Sequence, residues 1–141
     1  MSSDKGLVLD ANILIRAVLG QRVLQLLLKY RNAANFCCPD SCLDDARKYL
    51  PELCAKRKLD PTAALVVLEK LGIIVQSVPA SVYGHYEAMA RERVEMRDPD
   101  DWPVAALALV LGLPIWTEDP DFFGSGIATW TTDRVELYLR Q

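Results

Sequence analysis

Short apolar runs alternate with amphipathic stretches along the whole chain. The first run, residues 6–9, has the length of a buried strand, and residues 11–19 then place apolar side chains at helical spacing until Gly20. Four further strands are predicted at residues 35–39, 73–79, 114–117 and 127–130, with helical patterns before most of them. Strands that alternate with helices predict an α/β fold around a central parallel sheet of about five strands.

Capping residues mark two helices between the second and third predicted strands. Asp40 is the expected N-cap of the first of these helices, and Pro51 is expected to bend it. Asp60 and Pro61 have the pattern of a helix start, and Gly72 is the expected end of that second helix.

Three more helices are predicted in the second half of the chain. Residues 80–97 predict one long helix, whereas residues 103–113 are apolar on every side and predict a buried helix. Asp133 and Glu136 have the spacing of a capping box at the start of the last helix. No linker, repeat or low-complexity tract divides the sequence, so one domain over residues 1–141 is expected.

Composition narrows the class of protein. With 141 residues, of which 51% are hydrophobic and 25% charged, the chain fits one soluble globular domain. A net charge of -3 argues against nucleic-acid binding through a global positive field. A local basic patch, or an acidic site neutralised by a metal, is still compatible with that charge.

The sequence favours a cytoplasmic protein without membrane association. It has no start peptide with a basic front and an apolar middle, and no apolar stretch long enough to cross a bilayer. Its four cysteines lack the paired Cys-x-x-Cys spacing of a zinc site, and the chain has a single His. Buried reduced thiols are therefore predicted at Cys37, Cys38, Cys42 and Cys54.

Acidic residues gather where the predicted strands end. Asp10 ends the first strand, and other acids lie in the helix after the second strand, before the buried helix and after the fourth strand: Asp44, Asp45, Asp98, Asp100, Asp101, Glu118, Asp119 and Asp121. Ligands of open parallel sheets bind beyond the carboxyl ends of the strands, so we expect these acids to meet there. Like charges raise one another's pKa, and a hard cation such as Mg²⁺ offsets that cost. The pattern predicts phosphoryl transfer to water.

These acids also have purely structural explanations. Asp10 and Asp101 suit helix N-caps, and Asp119 and Asp121 suit turn positions around Pro120. Only the combination of acids at one edge of the sheet favours a site over these local roles.

The helix after the second strand offers two acids. Asp44 and Asp45 flank the apolar stripe of that helix at similar angles, so periodicity does not choose between them. A solvated helix face explains both.

The segment "WTEDPDFF", residues 116–123, combines acids with aromatic residues. Asp119 directly follows the strand and is the predicted ligand, whereas Glu118 is expected to face solvent. Phe122 and Phe123 are expected to pack the turn onto the core and so to fix where Asp119 points.

Four motifs follow one another over nearly the whole chain: "VLDANILI", "PDSCLDDARKYL", "DPDDWPVAALAL" and "PIWTEDPDFF". Together they resemble the PIN domain, the metal-dependent ribonuclease fold of VapC-type toxins and of many stand-alone bacterial proteins. The resemblance implies a three-layer α/β/α sandwich, a homodimer, and an endoribonuclease that uses Mg²⁺ or Mn²⁺ to cleave RNA without a covalent intermediate.

The resemblance also assigns roles to single residues. The family's four catalytic acids fall on Asp10, Asp44, Asp101 and Asp119, and the metal ligands on Asp10, Asp101, Asp119 and Asp121. Asn12 is implied to position the first acid or the substrate, and Thr117 to support the site. Asp44 departs from the family, which usually has Glu at this place, and its side chain is one methylene shorter.

An RNA substrate also requires positive charge. Arg93 and Arg97 lie four residues apart on the helix before the acidic loop and are candidates for phosphate contact, with a solvated helix face as the alternative. Further candidates are Arg47, Lys48, Lys56, Arg57 and Lys58. A VapC-type toxin is paired with a small antitoxin protein, and a neighbouring gene for a short DNA-binding protein would indicate such a partner.

Two other functions fit parts of the sequence. A haloacid-dehalogenase-like phosphatase also begins with an apolar strand that ends in Asp, but it requires a second Asp where this chain has Asn12. A PIN-like module that has lost catalysis and binds only RNA or protein is the other alternative, because Asp44 is short. Titration with Mn²⁺ would separate this module from the nuclease.

Overall fold

Five parallel strands form one sheet in the computed structural model, which describes residues 5–94 and 99–141. The strands are β1 Gly6–Leu9, β2 Asn35–Pro39, β3 Val75–Val78, β4 Ile115–Trp116 and β5 Thr129–Trp130. Their order across the sheet is β3-β2-β1-β4-β5, and every neighbouring pair is parallel. The predicted α/β fold with a central parallel sheet is confirmed.

Helices fill most of the chain between these strands. They are α1 Ala11–Leu19, α2 Arg22–Tyr30, α3 Asp40–Arg57, α4 Pro61–Leu71, α5 Ala80–Tyr83, α6 Glu87–Val94, α7 Trp102–Leu111 and α8 Val135–Leu139. Short 3₁₀ turns lie at Gly84–Tyr86, Pro99–Asp101 and Pro120–Phe122. Within the described ranges no single helix is long and apolar enough to cross a membrane, and α1 with α2 meets that test only as a pair bent by 101°.

The helices form two groups, one on each side of the sheet. Helices α1 to α4 contact one another, and α5 and α6 contact α7. The chain moves from β1 through β2 to β3 in one direction and then returns past β1 to β4. Because parallel crossovers are right-handed, the helices of these two paths cover opposite faces. The result is a three-layer α/β/α sandwich.

This topology fixes where a site lies. The chain runs from β1 to β2 on one side of β1, whereas β4 lies on the other side of β1. The switch point of the sheet therefore lies between β1 and β4. Leu9 and Trp116, the last residues of these two strands, are register partners. The residues that follow them, Asp10 and Thr117, therefore emerge side by side at the carboxyl edge.

The apolar core lies between the sheet and its two helix layers. Leu7, Leu9 and Trp116 are completely buried, and α7 contacts β1, β2 and β4 from one side. The cysteines are part of this core and are all free thiols. Burial raises the pKa of Cys37 to about 11 and that of Cys38 to about 12, which keeps these thiols protonated and unreactive.

The region predicted as one helix over residues 80–97 is divided. Helix α5 ends at Tyr83, a 3₁₀ turn covers Gly84–Tyr86, and α6 begins at Glu87. Gly84 lies at the break, where its low helix propensity favours a change of hydrogen-bonding pattern. Residues 95–97 of the prediction lie outside the described residues.

Of the N-caps predicted for α3 and α4, only that of α4 is confirmed. Pro39, not Asp40, precedes the first turn of α3. The Asp40 carboxylate accepts hydrogen bonds from the Ser41 N–H at 2.8 Å, from the Ala80 N–H at 3.3 Å and from the Tyr83 hydroxyl. It therefore joins the start of α3 to α5. By contrast, the predicted cap of α4 is confirmed, since Asp60 accepts the Thr62 N–H at 2.9 Å.

The capping box predicted for the last helix does not form. Asp133 accepts a hydrogen bond from the Thr131 hydroxyl instead. Glu136 turns to α2, where its carboxylate accepts from Lys29 at 2.8 Å and from the Tyr30 hydroxyl at 2.7 Å. These contacts to a distant helix replace the local cap.

Candidate active site

Asp10 joins the end of β1 to the start of α1. Its Oδ1 accepts the Ile13 N–H at 3.0 Å and so caps the helix, and its Oδ2 accepts from the Thr117 hydroxyl. The residue is only 7% exposed. Asp10 therefore has the capping role that local sequence suggests, and it also lies at the switch point of the sheet.

Thr117 links two of the predicted acids. Its side chain is fully buried just after β4. Its hydroxyl oxygen donates to Asp10 and accepts the Asp119 N–H at 2.9 Å. The backbone position of Asp119 is thereby fixed relative to the carboxylate of Asp10.

Asp119 begins the short turn that follows β4. Its Oδ1 accepts the Asp121 N–H at 2.9 Å and caps the 3₁₀ turn Pro120–Phe122. Phe122 is completely buried and anchors this turn to the core, whereas Phe123 is 44% exposed. The predicted aromatic anchor is therefore Phe122 alone.

Three carboxylates converge at this turn. One oxygen from each of Asp101, Asp119 and Asp121 lies within 4.8 Å of the others. Asp101 occupies the N-cap position of α7, but its side chain makes no capping hydrogen bond to that helix within residues 99–141, and its Oδ2 is buried. The local capping explanation thus does not account for the Asp101 side chain.

The electrostatics of the site disfavour its negative charge. The pKa of Asp10 is raised to about 6, chiefly because the carboxyl group is buried. The hydrogen bonds from Thr117 and Ile13 lower this pKa, and the charges of Asp119 and Glu118 contribute to raising it. A bound cation would reverse this balance. All the donors are carboxylate oxygens, which suit Mg²⁺ and Mn²⁺ better than metals that prefer nitrogen or sulfur. The residues present therefore fit a hard divalent ion.

Known proteins share the fold of this chain. A family model described as the PIN domain matches residues 8–140. The chain belongs to the PIN domain family. No curated protein matches it significantly.

Two solved structures share the PIN fold of this chain. A chain in the crystal structure of VapBC2 from Rickettsia felis, bound to a DNA fragment from its promoter, aligns with TM-score 0.69 and 12% identity over 89% of this chain and 98% of that one. A chain of FitAcB from Neisseria gonorrhoeae aligns with TM-score 0.63 and 19% identity, covering 89% of this chain and 97% of that one.

Asp44, the acid predicted on α3, does not belong to the group of carboxylates formed by Asp101, Asp119 and Asp121. The Asp44 side chain is 73% exposed and forms a salt bridge with Arg47 Nη1 at 3.1 Å. Arg47 in turn lines a shallow groove with residues of α4, such as Thr62 and Val66. Asp44 therefore faces the α4 side of α3 and solvent.

Asp45 lies on the other side of the same helix. Burial raises the pKa of the Cys42 thiol, and the carboxylates of Asp10 and Asp45 raise it further, so both acids lie near Cys42. Consecutive residues of a helix point about 100° apart, which separates Asp45 from Asp44. Asp45 is exposed like Asp44, but it lies on the side of α3 that carries Cys42.

The predicted substrate-positioning residues have different environments. Asn12 is exposed on the first turn of α1. Arg93 Nη1 donates to the Ser125 carbonyl oxygen at 2.9 Å, so this side chain holds the loop that follows the acidic turn. Arg97 lies outside the described residues. Phosphate contact by these residues stays a prediction.

Glu118 does not face solvent as expected. Its Oε2 accepts the Thr132 N–H at 2.6 Å and the Thr132 hydroxyl at 2.7 Å. The Trp116 indole N–H donates to the same hydroxyl at 3.1 Å. Glu118 is therefore a structural residue that ties the acidic turn to the segment after β5.

A cleft of about 840 Å³ adjoins the acidic turn. Its walls include Asn12 and Asp119, together with Arg16, Arg22 and Arg57. Arg16 and Arg22 belong to no motif in the sequence. A helical pattern marks such positions only as polar, and their common cleft depends on how separate elements pack.

Proposed function

We propose that the protein is a metal-dependent endoribonuclease that hydrolyses RNA phosphodiester bonds with Mg²⁺ or Mn²⁺. The observation that carries this proposal is the convergence of Asp101, Asp119 and Asp121 beside buried Asp10, at the switch point of a PIN domain. An acidic site with oxygen donors alone matches the chemistry of a hard cation that also binds phosphate oxygens.

The residues of such a site would have different roles. Asp10, Asp101 and Asp119, with Asp121, would hold the ion, and Thr117 would keep Asp10 and Asp119 aligned. When bound, the ion supplies a lower pKa for the attacking water and neutralises charge on the phosphodiester. Asp45, which like Asp10 lies near Cys42, would take the place of Asp44 as the acid contributed by α3.

The direct test is cleavage of a mixed pool of RNA with Mg²⁺ or Mn²⁺. We expect wild-type cleavage that a chelator abolishes and that Asp101→Asn reduces by at least about a hundredfold, since water activation and charge neutralisation both depend on the ion. Asp133→Asn, which alters an exposed acid that accepts a hydrogen bond from Thr131, is the matched control. Equal cleavage by wild type and Asp101→Asn would overturn the proposed site.

A PIN module that binds RNA or protein without catalysis is the alternative, and the exposed position of Asp44 favours it. Titration calorimetry with Mn²⁺ separates the two. The nuclease requires Mn²⁺ binding that Asp119→Asn weakens, whereas the inert module predicts no binding. The phosphatase alternative receives no support, because the chain belongs to the PIN domain family and has Asn12 at the position of the required acid.

We further propose that this nuclease is the toxin of a toxin-antitoxin pair, acting in the cytoplasm as a homodimer with a small antitoxin protein. The support is the fold shared with chains of VapBC2 and FitAcB. A neighbouring gene for a short DNA-binding protein, followed by purification of the two products together as one complex, would test this partner. A single monomeric product without such a neighbour would contradict the proposal.

A further inference from the structure

The cleft beside the acidic turn has walls from three parts of the fold. One wall is a stripe along α1 formed by Asn12, Ile15, Arg16 and Leu19, which have the spacing of a single helix face. The C-terminal part of α3 contributes Leu53 and Arg57, and the start of α2 contributes Gln21, Arg22 and Val23. Glu118, Asp119, Pro120 and Thr132 complete the lining. The cleft is therefore continuous with the acidic site through Asp119.

The cations of this cleft are placed for a negatively charged ligand. Arg16 and Arg57 are both exposed, and among the described residues neither forms a salt bridge. Arg22 is 3.4 Å from Glu136, whose carboxylate also pairs with Lys29 at 2.8 Å. Guanidinium groups bind phosphate oxygens with two parallel hydrogen bonds, so Arg16 and Arg57 suit a phosphate ligand.

Two acids also line the cleft, and their positions are compatible with an anionic ligand. Glu118 is occupied by two hydrogen bonds from Thr132. Asp119 belongs to the carboxylate group that fits a cation. The negative charge lies at the end of the cleft where the ion would bind, and the arginines lie on α1 and α3.

The cleft also has apolar side chains in its wall and is limited in size. Ile15, Leu19, Val23 and Leu53 form apolar parts of the wall. A volume of about 840 Å³ is comparable to sites that hold one small organic molecule of about 300–1,000 Å³. A few nucleotides fit such a space, with bases against the apolar side chains and phosphates against the arginines.

We propose that the RNA backbone passes through this cleft on one side of the cleaved phosphate, with Arg16 and Arg57 as positioning residues that contact backbone phosphates. The inference rests on the proposed ribonuclease function and adds the path of the RNA and the two residues that hold it. Arg16 lies one helical turn beyond Asn12, about 6 Å along α1, so the path leads away from the acids.

Binding of a fluorescent single-stranded RNA, measured by anisotropy against salt concentration with a chelator present, tests this path without cleavage. Arg16→Ala and Arg57→Ala should each weaken binding and reduce the slope of log affinity against log salt by about 0.7, the loss of one phosphate contact. Arg16→Lys and Arg57→Lys should restore most of the slope. Arg31→Ala, an exposed arginine at the end of α2 outside the cleft, should behave as wild type.

Cleavage with Mg²⁺ provides an independent readout. The two alanine variants should raise KM about tenfold and leave kcat nearly unchanged, because they remove binding that is equal in ground and transition states. If the wild type cleaves RNA and both variants keep its salt slope and KM, the inference is overturned and the ribonuclease function stands. If no RNA is cleaved, the proposed ribonuclease function is wrong. A smaller slope of log affinity against log salt in the cleft variants alone would still support the RNA path.

Discussion

The Thr117 hydroxyl donates a hydrogen bond to Oδ2 of Asp10, a residue 107 positions earlier in the chain. The same oxygen accepts the backbone N–H of Asp119 at 2.9 Å. One buried hydroxyl between β1 and β4 thus sets the geometry of two acids that the sequence separates widely.

Replacing this hydroxyl should weaken metal binding without disturbing the core. Thr117→Val keeps the shape of the side chain but leaves Asp10 and the Asp119 N–H without their shared partner. We expect Mn²⁺ affinity, measured by titration calorimetry, to fall about tenfold, as is typical when a residue that orients a ligand is lost. The free energy of unfolding should fall by about 1–3 kcal/mol.

Thr117→Ser retains the hydroxyl and serves as the control for that experiment. Its Mn²⁺ affinity should remain close to that of the wild type. Equal affinities for the Val and Ser variants would show that the hydroxyl does not position the acids.

The raised pKa of Asp10 predicts that the metal-free protein is destabilised by its own active site. A carboxyl whose pKa rises from 3.8 to about 6 on folding costs the folded state about 3 kcal/mol when it is ionised. Because the pKa is raised, this cost is absent below pH 3.8, grows as pH rises towards 6 and is complete above it. Asp10→Asn removes the charge and should stabilise the metal-free protein by about 1–3 kcal/mol at pH 7.

Thermal unfolding in chelator at pH 4 and pH 7 measures this effect. The gain in Tm of Asp10→Asn over wild type should be present at pH 7 and small at pH 4. Added Mn²⁺ should raise the Tm of the wild type more than that of the variant, because a cation offsets the charge only in the wild type. A variant that is less stable than the wild type at pH 7 would contradict the electrostatic argument.

Asp44 and Asp45 should differ sharply in their effect on activity. Asp45 and Asp10 both lie near Cys42, whereas the salt bridge of Asp44 with Arg47 is exposed. Asp45→Asn is expected to lower kcat for RNA cleavage by at least about tenfold, and Asp44→Asn to leave it within about twofold, since an exposed pair contributes little. The two variants are each other's control, because both remove one negative charge from the same turn of α3. The reverse order of effects would restore Asp44 as the second acid.

The elements of the fold were predictable from local pattern, but the choice between these two acids was not. Strand β1 and helix α1 have the predicted positions because their apolar residues repeat at the period of each structure. Asp44 and Asp45 flank the apolar stripe of α3 almost equally. The packing of α3 against α1 and α4 determines the surroundings of each acid, and those contacts cannot be read from local sequence.

The contacts of polar residues with distant partners also could not be predicted from local sequence. Glu136 has the spacing of a local cap, yet contacts with Lys29 and Tyr30 outweigh it. Arg16 has the pattern of a solvent-facing residue, and it lines a cleft only because α3 and the turn at Asp119 lie opposite. Periodicity reports which face of a helix is apolar, whereas the neighbours of its polar face depend on tertiary packing.

Gly126 lies in the loop that Arg93 contacts, and a substitution at Gly126 tests this contact. This glycine has φ +82°, and a Cβ at its position would lie 2.5 Å from Arg93 Nη1. Gly126→Ala therefore combines backbone strain with displacement of the side chain that holds the Ser125 carbonyl, and it should lower the free energy of unfolding by about 1–3 kcal/mol.

Gly84→Ala is the matched control, since no atom lies within 4 Å of its Cβ and its φ is -62°. That variant should be neutral or slightly more stable, because it reduces the entropy of the unfolded chain. Urea denaturation of both variants measures the difference, and equal stabilities would mean that the loop yields without cost and that Arg93 does not hold it.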